Sequence, residues 1–293
     1  MLKKILEVGY GSVAKVKIGD RLPLVFIGGP CAIESREHAF KMAESIGEIC
    51  RRVGVPWIYK SCYDKDCRSS KDSFHGLGAD HGLRILADLR EEFGIPVVSD
   101  FSEPAWGPAT GEVCDMVQVP AYLCRQTSIL RAAALTNRPV HLKKGQFMSP
   151  WNMKNSVRKL EANGNDQILL ADRGTFFGYN MLVNDMTSFP IMSKTGYPLC
   201  FDATHSIQMP TSMGNISGGQ REFIPYLVRA AVACGINALF METHDDPDNA
   251  LSDANTVLDI QYLENILSQA KAMHETRLEL LEKYGEDNVH PEK

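Results

Sequence analysis

Short apolar runs recur along the sequence with amphipathic segments between them, and this alternation constrains the fold more than any other feature. The first run, Leu24 to Ile27, is apolar at every position, which is typical of a parallel strand covered on both faces. Seven similar runs follow at 56–59, 95–98, 116–119, 139–142, 167–170, 198–201 and 238–241. Eight strand–helix units of this kind predict an α/β protein built as a (β/α)8 TIM barrel. An open doubly wound sheet is the alternative, but no Gly-x-Gly-x-x-Gly motif follows the first run.

The segments between and around the runs complete the predicted fold. A helix capped by Ser35 follows the first strand. Further helices are predicted at 79–93, 126–136, 151–163 and 219–234, and a long C-terminal helix at about 256–283. Alternating residues between 5 and 22 predict a short N-terminal β-hairpin. We therefore expect one domain over 1–293, with the hairpin in 1–22 and the C-terminal helix and tail in 255–293.

Composition excludes several classes of function. The chain has 293 residues, 44% of them hydrophobic, and a formal net charge of −5. An acidic chain of this kind is not expected to bind nucleic acid. It contains no apolar run near the roughly 20 residues that a membrane helix needs, and its amino end lacks the apolar core of a signal peptide. Its eight cysteines are spread among apolar segments, which is typical of reduced thiols in a cytoplasmic protein.

Polar or charged residues follow every predicted strand, at the end where barrel enzymes place their active sites. In chain order they are Cys31, Lys60 with Lys65, Asp100, Gln118, Lys143, Arg173, His205 and Glu242. A barrel with a purely structural role would not need such a residue after each strand. We therefore expect these side chains to meet at one mouth of the barrel.

Cys31, His205 and Glu242 form a set that suits a metal ion. A thiolate, an imidazole and a carboxylate favour a divalent transition metal such as Zn²⁺, Fe²⁺, Mn²⁺ or Co²⁺, whereas Mg²⁺ or Ca²⁺ would avoid the thiolate. The strands that carry them are the first, seventh and eighth, which are neighbours in a closed barrel. The fourth ligand stays open at this point between Asp245, Asp246, Asp248 and Asp253, and His244 competes with His205.

A second set of residues is cationic and indicates phosphorylated substrates. Its members are Lys60, Lys65, Arg68, Arg125, Lys143, Lys144 and Arg173. Gathered at one mouth they would repel one another without anionic ligands, and lysine and arginine are the usual partners of phosphate and carboxylate. The glycine-rich stretch 214–219 lacks the lysine of a phosphate-binding loop, so we interpret it as a mobile lid ahead of a helix.

Seven motifs together resemble one enzyme family, the 3-deoxy-D-manno-octulosonate 8-phosphate synthases, also called 2-dehydro-3-deoxyphosphooctonate aldolases. The resemblance spans about residues 20–270. The motifs are 29–35 (GPCAIES), 64–70 (DKDCRSS), 118–127 (QVPAYLCRQT), 143–147 (KKGQF), 172–175 (DRGT), 201–208 (FDATHSIQ) and 217–223 (SGGQREF).

This resemblance implies a homotetrameric barrel enzyme. The implied reaction joins phosphoenolpyruvate to D-arabinose 5-phosphate with addition of water and release of phosphate, and its product feeds lipopolysaccharide biosynthesis in Gram-negative bacteria. By motif position, phosphoenolpyruvate would be held by Lys143, Arg173 and the Ala121 backbone, with Lys65 near its carboxylate and Gln118 lining the site. Gln146 is also expected to bind substrate. The sugar phosphate would be bound by Arg68 and Ser69, with Arg125 from a neighbouring subunit, and the sugar itself by Lys60 and Asp100.

The resemblance also suggests the metal ligands. The family has a metal-dependent branch with cysteine after the first strand and a metal-independent branch with asparagine there, and this chain has Cys31. The metal branch places its fourth ligand where Asp253 stands. The implied ligand set is therefore Cys31, His205, Glu242 and Asp253, and the residues expected to act in catalysis are Lys65, Lys143, His205 and Asp253.

The sequence departs from the family pattern mainly on the sugar side. Cys67 stands where the family usually has asparagine, His75 where it has arginine, Ser102 where it has histidine, and Asp172 where it has glutamate. Two other functions therefore stay open at this stage. One is the sister 3-deoxy-heptulosonate 7-phosphate synthase reaction with erythrose 4-phosphate, and the other is a catalytically silent barrel that binds a phosphorylated metabolite.

Overall fold

Eight parallel strands close into a barrel, which confirms the predicted (β/α)8 architecture. The protein is described here from a computed structural model that covers residues 4–66, 73–213 and 216–285. The barrel strands are β3 (Val25–Gly29), β4 (Trp57–Lys60), β5 (Val97–Asp100), β6 (Met116–Val119), β7 (Val140–Lys143), β8 (Ile168–Asp172), β11 (Leu199–Asp202) and β14 (Ala238–His244). Each strand pairs in parallel with the next, and β14 pairs with β3 to close the ring.

Helices follow the barrel strands, and the longer ones cover the outside of the barrel. They are α1 (Arg36–Val53), α2 (Ala79–Phe93), α3 (Gly107–Val113), α4 (Thr127–Leu135), α5 (Met153–Glu161), α6 (Ser188–Ser193), α7 (Ala203–Ser206), α8 (Ile224–Ala233) and α9 (Leu263–Tyr284). The expected cap of the first helix is present, because the Ser35 hydroxyl accepts a hydrogen bond from the His38 backbone N–H at 3.0 Å. Within the described residues, no helix has the length and apolar character needed to cross a membrane.

The predicted N-terminal hairpin closes the bottom of the barrel. Its strands, β1 (Leu6–Val8) and β2 (Val16–Ile18), pair antiparallel. Their buried side chains join one apolar cluster with inward-facing barrel residues such as Ile27 and Phe240. A larger cluster fills the space between the barrel and the helices. Because the amino end is plugged with apolar side chains, polar groups inside the barrel can meet water or a ligand at the carboxyl end.

Short additional strands lie beyond the carboxyl ends of the barrel strands, and two helices begin later than predicted because of them. These strands are β9 (Thr175–Phe176), β10 (Leu182–Val183), β12 (Gln208–Met213), β13 (Ile216–Gly219) and β15 (Leu258–Asp259). The helix predicted from 219 begins at Ile224, because β13 and a 3-10 turn over Arg221–Phe223 precede it. The C-terminal helix predicted from 256 begins at Leu263, because β15 pairs with the end of β14. Part of the predicted lid is therefore a strand, and its residues 214 and 215 lie outside the described residues.

Candidate active site

A ring of polar side chains lines the carboxyl end of the barrel. Successive side chains of a strand point to opposite faces, so the residue two positions after each inward apolar residue also faces inward. The ring consists of Lys60, Asp100, Gln118, Lys143, Arg173, Asp202 and Glu242. All of them except Asp100 are buried. The sequence thus places charge two residues beyond the apolar barrel layer on nearly every strand.

Glycine at position 29 allows the first two barrel strands to approach closely. A Cβ atom built on Gly29 would overlap the carbonyl oxygen of Lys60 on the neighbouring strand. Because glycine has no side chain, β3 ends beside β4 without a clash, and the chain turns at once to place Cys31 in the mouth.

The structure brings the four residues of the expected ligand set together. The Cys31 Sγ atom lies 3.2 Å from Asp253 Oδ2. Ligand atoms of Cys31, Glu242 and Asp253 all lie within 4.8 Å of one another. The His205 Nε2 atom lies 3.7 Å from Glu242 Oε2 and 3.8 Å from Asp253 Oδ2. Cys31, Glu242 and Asp253 therefore form a close group at the barrel mouth, and the His205 imidazole borders this group beside its two carboxylates.

The other acidic candidates for the fourth position face elsewhere. The Asp245 carboxylate accepts hydrogen bonds from Lys41 Nζ at 2.5 Å and pairs with His38. Asp246 accepts a hydrogen bond from the Asn249 side chain. Asp248 is 90% exposed and faces Arg221. Of the four aspartates that the sequence left open, Asp253 is the one beside Cys31.

The second possible group of metal ligands in the described part of the chain consists of Glu34, His38 and His244. The backbone N–H of Asp246 donates to His244 Nδ1 at 2.9 Å, so a neutral ring carries its proton on Nε2 and donates it to Glu34 Oε1 at 3.2 Å. Glu34 also accepts the Leu251 N–H at 2.8 Å. With both ring nitrogens engaged, His244 ties down the loop that carries Asp253 and does not compete with His205.

The loop around Asp253 holds that residue in an unusual backbone conformation. Asp253 has φ of 53°, in the left-handed region that residues other than glycine seldom adopt. Its carbonyl oxygen accepts hydrogen bonds from the backbone N–H groups of Thr256 and Val257 at 2.8 and 3.1 Å. Strain of this kind is found at functional sites, where surrounding contacts hold the residue in place.

Lysine side chains neutralise the acidic cluster. Lys65 Nζ donates to Cys31 Sγ at 2.7 Å and to Asp253 Oδ2 at 2.9 Å. Lys60 Nζ donates to Glu242 Oε1 at 2.7 Å, and both of these side chains are only 1% exposed. Burial opposes ionisation of Glu242, but the nearby charge of Lys60 holds the pKa of this carboxyl well below its usual range. Burial and the neighbouring carboxylates of Asp253 and Glu242 raise the pKa of the Cys31 thiol.

The anion-binding candidates Lys143 and Arg173 lie on the opposite side of the same mouth. Lys143 Nζ donates to Asp202 Oδ2 at 2.6 Å. An Arg173 Nη2 atom donates to the His205 carbonyl at 2.9 Å and to Gln208 Oε1 at 2.7 Å. Burial lowers the pKa of the Arg173 guanidinium, against the attraction of Asp202. Both cations are thus buried and fixed before any ligand arrives.

Two further residues that the sequence placed at the site, Gln146 and Lys144, differ in their contacts. Gln146 is buried and, among the described residues, neither its amide oxygen nor its amide nitrogen has a hydrogen-bond partner. Lys144, which the sequence placed in the cationic set, instead donates to Thr175 Oγ1 and to the carbonyl oxygens of Met148 and Gly174. It is fully buried, and these contacts hold the loop after β7 in shape.

The predicted sugar side is described only in part. Arg68, Ser69 and Cys67 lie outside the described residues. Arg125 is exposed shortly after β6, just beyond the buried Ala121. Asp100 accepts a hydrogen bond from the Cys62 thiol at 2.6 Å, and Lys60 donates to the same sulfur at 2.9 Å.

The remaining departures from the family pattern take separate positions. His75 accepts the Lys65 N–H through its carbonyl. Ser102 is half-buried just beyond β5. Asp172 is buried and accepts the Gly174 N–H at 2.9 Å, so it supports the turn after β8.

Sequence reasoning missed two residues at this site, Asp202 and Cys62. Asp202 is fully buried and contacts both Lys143 and His205. Burial opposes its ionisation, but the imidazole of His205 beside it and the charge of Lys143 hold the pKa of this carboxyl well below its usual range. Its position at the end of a barrel strand, two residues after the inward Cys200, was a signal that could have identified it.

Comparison with known proteins places the chain in a family. Residues 5–279 match the family model described as the DAHP synthetase I family. Curated relatives named 2-dehydro-3-deoxyphosphooctonate aldolase match at about half identity. The protein from Protochlamydia amoebophila is 50% identical over 92% of this chain and 96% of its own length. The proteins from a Cyanothece species and from Acidithiobacillus ferrooxidans are 51% and 52% identical, over 88% and 85% of this chain and 94% and 89% of their own lengths.

The chain belongs to the 2-dehydro-3-deoxyphosphooctonate aldolase family. This confirms the family indicated by the seven sequence motifs. The family model carries the name of the heptulosonate synthases, but the relatives that share half of their residues with this chain carry the octonate aldolase name. The octonate aldolase relationship is therefore the specific one, and the heptulosonate alternative is not favoured.

Proposed function

We propose that this protein condenses phosphoenolpyruvate with D-arabinose 5-phosphate and water to give 3-deoxy-D-manno-octulosonate 8-phosphate and inorganic phosphate, a step in lipopolysaccharide biosynthesis. The observation that carries the proposal is the meeting of a buried cationic pair, Lys143 and Arg173, with the Cys31 cluster at one barrel mouth. A family relationship at about 50% identity over most of the chain supports the same reaction.

Phosphoenolpyruvate would bind on the Lys143 side of the mouth. Lys143 and Arg173 supply fixed positive charge for its phosphate, and Lys65 lies across the mouth for its carboxylate. The buried amide of Gln146, which lacks a hydrogen-bond partner among the described residues, suits a polar ligand. Gln118 and the Ala121 backbone would complete the lining of this side.

The aldose phosphate would bind above Lys60 and Asp100. These two residues face each other across the Cys62 thiol, which contacts both. Arg68 and Ser69 are proposed to hold the phosphate of the sugar, with Arg125 reaching it from a neighbouring subunit. The exposed position of Arg125 is compatible with contact to another chain.

The donor set fits a divalent transition metal. Cys31, His205, Glu242 and Asp253 supply one sulfur, one nitrogen and carboxylate oxygens, a mixture that suits Zn²⁺, Fe²⁺, Mn²⁺ or Co²⁺. Glu242 Oε2 is buried, and no group in the described residues forms a hydrogen bond with it, although His205 Nε2 lies 3.7 Å away. A metal held here would act as a Lewis acid toward the aldehyde oxygen of the sugar or would orient it.

The reaction itself requires charge stabilisation at several points. Carbon C3 of phosphoenolpyruvate attacks the aldehyde carbon, water adds at C2, and phosphate leaves by cleavage of its C–O bond. Lys143 and Arg173 are positioned to stabilise the negative charge of the phosphate, and Lys65 that of the carboxylate, because buried cations act strongly where water is excluded. These cations are already held in place by Asp202, Gln208 and Asp253.

We also propose that the enzyme is a cytoplasmic, single-domain homotetramer. Large aromatic side chains are exposed after three consecutive barrel strands, namely Tyr122 after β6, Phe147 and Trp151 after β7, and Phe177 and Tyr179 after β8. Phe177 and Tyr179 are 78% and 96% exposed. Several large apolar side chains exposed at one end of a barrel favour a protein interface there. Light scattering after gel filtration would measure the number of subunits.

One assay tests the proposed reaction and its alternatives. Phosphate release is measured with phosphoenolpyruvate and either arabinose 5-phosphate or erythrose 4-phosphate, with and without a chelator, after metal analysis of the purified protein. We expect release with the five-carbon sugar, loss with the chelator, and recovery after a transition metal is added. Release with the four-carbon sugar alone would support the sister reaction. Binding of phosphoenolpyruvate without release from either sugar would support a silent barrel.

The metal assignment is tested separately from the reaction, first with a chelator and then with a substitution. Activity of the wild type that persists in a chelator, with no metal bound, would refute the metal assignment but not the reaction. Cys31→Asn, which copies the residue of the metal-independent branch, should weaken metal binding because it removes the thiolate.

A further inference from the structure

Asp202 connects the two halves of the proposed site. It is the last residue of β11 and is fully buried. Its Oδ2 atom lies 2.8 Å from His205 Nδ1 and 2.6 Å from Lys143 Nζ. A single carboxylate therefore contacts a residue assigned above to the metal and a residue assigned above to phosphoenolpyruvate.

The local chain geometry fixes this contact. Asp202 caps the short helix α7, and its Oδ1 atom accepts the backbone N–H of His205 at 3.0 Å. The same residue thus anchors both the backbone and the imidazole of His205. Thr204 adds a weaker link, because its hydroxyl donates to Asp202 at 3.3 Å and accepts the Glu242 N–H at 3.1 Å.

This arrangement determines which nitrogen of His205 is available. A carboxylate accepts hydrogen bonds, so Nδ1 carries the proton that faces Asp202 and Nε2 carries the lone pair. Nε2 is the atom that faces Glu242 and Asp253, at 3.7 and 3.8 Å. Carboxylates that hold the far nitrogen of a metal-binding histidine usually strengthen metal binding, and their loss typically weakens it about 10–100-fold.

We propose that Asp202 is a positioning residue that sets the tautomer and the orientation of His205 for metal binding. This inference rests on the proposed function, which assigns His205 to the metal. It goes further because it identifies a residue outside the ligand set on which metal affinity depends. Lys143 supplies a matched comparison, because it also contacts the Asp202 carboxylate. Removing Lys143 changes the surroundings of Asp202 but leaves the contact between Asp202 and His205 in place.

Asp202→Asn is the informative substitution because it keeps the shape of the side chain but removes one acceptor. The carboxylate receives donors on both oxygens. Lys143 Nζ donates to Oδ2, the His205 backbone N–H donates to Oδ1, and the imidazole Nδ1 lies 3.1 Å from Oδ1 and 2.8 Å from Oδ2. An asparagine offers one acceptor oxygen and a donating NH₂ group. One of these donors must then face the NH₂ group. Because an amide can either accept a hydrogen bond from Nδ1 or donate one to it, the tautomer of His205 is no longer fixed.

The experiment measures Co²⁺ binding to the full-length chain by competition with a coloured chelator, and the absorbance of the bound ion. For Asp202→Asn we expect affinity 10–100-fold below the wild type and an altered Co²⁺ spectrum. Lys143→Met keeps the carboxylate beside His205 and should bind Co²⁺ at least as tightly as the wild type. Asp115→Asn removes another fully buried carboxylate, paired with Arg90 at the amino end of the barrel, and should leave Co²⁺ affinity within about threefold.

Each result decides between the alternatives. Wild-type affinity in Asp202→Asn, or an equal loss in Lys143→Met or Asp115→Asn, would overturn the positioning role. If Asp202→Asn does not fold, Asp202→Glu keeps the charge but moves the carboxylate, and it must also weaken Co²⁺ binding for the proposal to stand. A wild-type protein that binds no Co²⁺ refutes the metal assignment itself, which separates that failure from a failure of this inference.

Discussion

The titration of His141 offers the sharpest quantitative prediction. His141 lies inside the barrel on β7, two residues before Lys143, and is fully buried. Its Nδ1 atom lies 3.1 Å from Gln118 Oε1. Burial, with a smaller effect of the charge on Lys143, lowers the pKa of the His141 imidazole to about 3. In the unfolded chain the same group titrates near its ordinary value of about 6.5.

The sign and size of the effect follow from proton linkage. Between pH 6.5 and 3 the unfolded chain binds a proton at His141 that the folded protein does not bind. The free energy of unfolding contributed by this group is therefore present above pH 6.5 and is lost as the pH falls, by ~1.4 kcal/mol for each pH unit. Between pH 8 and pH 5 the loss amounts to ~2 kcal/mol.

His141→Asn isolates this contribution, because asparagine keeps an amide donor toward Gln118 and does not titrate. Urea unfolding of both proteins is measured from pH 5 to 8 at one protein concentration. The difference in unfolding free energy, wild type minus variant, should shrink by ~2 kcal/mol from pH 8 to pH 5. His81→Asn, at an exposed position on α2, is the control and should follow the wild type. A wild-type minus His141→Asn difference that stays constant with pH would refute a buried, neutral imidazole.

Three other substitutions test packing around the site. Lys60→Met leaves the Glu242 carboxylate buried without its ion-pair partner and should reduce the free energy of unfolding by ~3–5 kcal/mol, measured in urea; a loss below ~1 kcal/mol would contradict the buried pair. Ser35→Ala removes the cap that accepts the His38 N–H and should cost ~1 kcal/mol, whereas an unchanged midpoint in urea would argue against the cap. Gly29→Ala forces a Cβ atom against the Lys60 carbonyl and should cost ~1–3 kcal/mol, seen as a lower thermal midpoint; equal stability would show that the two strands can separate.

Sequence reasoning reached the fold because its signals are local. Eight largely apolar runs such as Leu24 to Ile27 need cover on both faces, and helices between them supply it. Two helices begin later than the sequence predicted, at Ile224 and Leu263. The residues before them pair instead as the short strands β13 and β15. Such pairing depends on a partner strand that the local pattern does not reveal.

The residues of the candidate site were likewise determined partly by the sequence and partly by the tertiary structure. The sequence by itself determined which residues follow each strand, and so brought Cys31, His205 and Glu242 to one end of the barrel. The residue pattern left Asp245, Asp246, Asp248 and Asp253 open, and the family resemblance pointed to Asp253. The tertiary structure places Asp253 beside the Cys31 sulfur and the other three elsewhere. The loop beyond β14 is held there by long-range contacts from Glu34, which no local spacing encodes.

Tertiary structure also decided the charge balance of the site. Lys144 and Lys143 are adjacent in sequence and chemically alike, yet one is tied to backbone carbonyls and the other to Asp202 at the barrel mouth. Their different roles arise because successive residues of a strand point to opposite faces and the chain turns after β7. Composition sets the number of charges in the chain, whereas the closed barrel decides which of them are buried together and can act on one ligand.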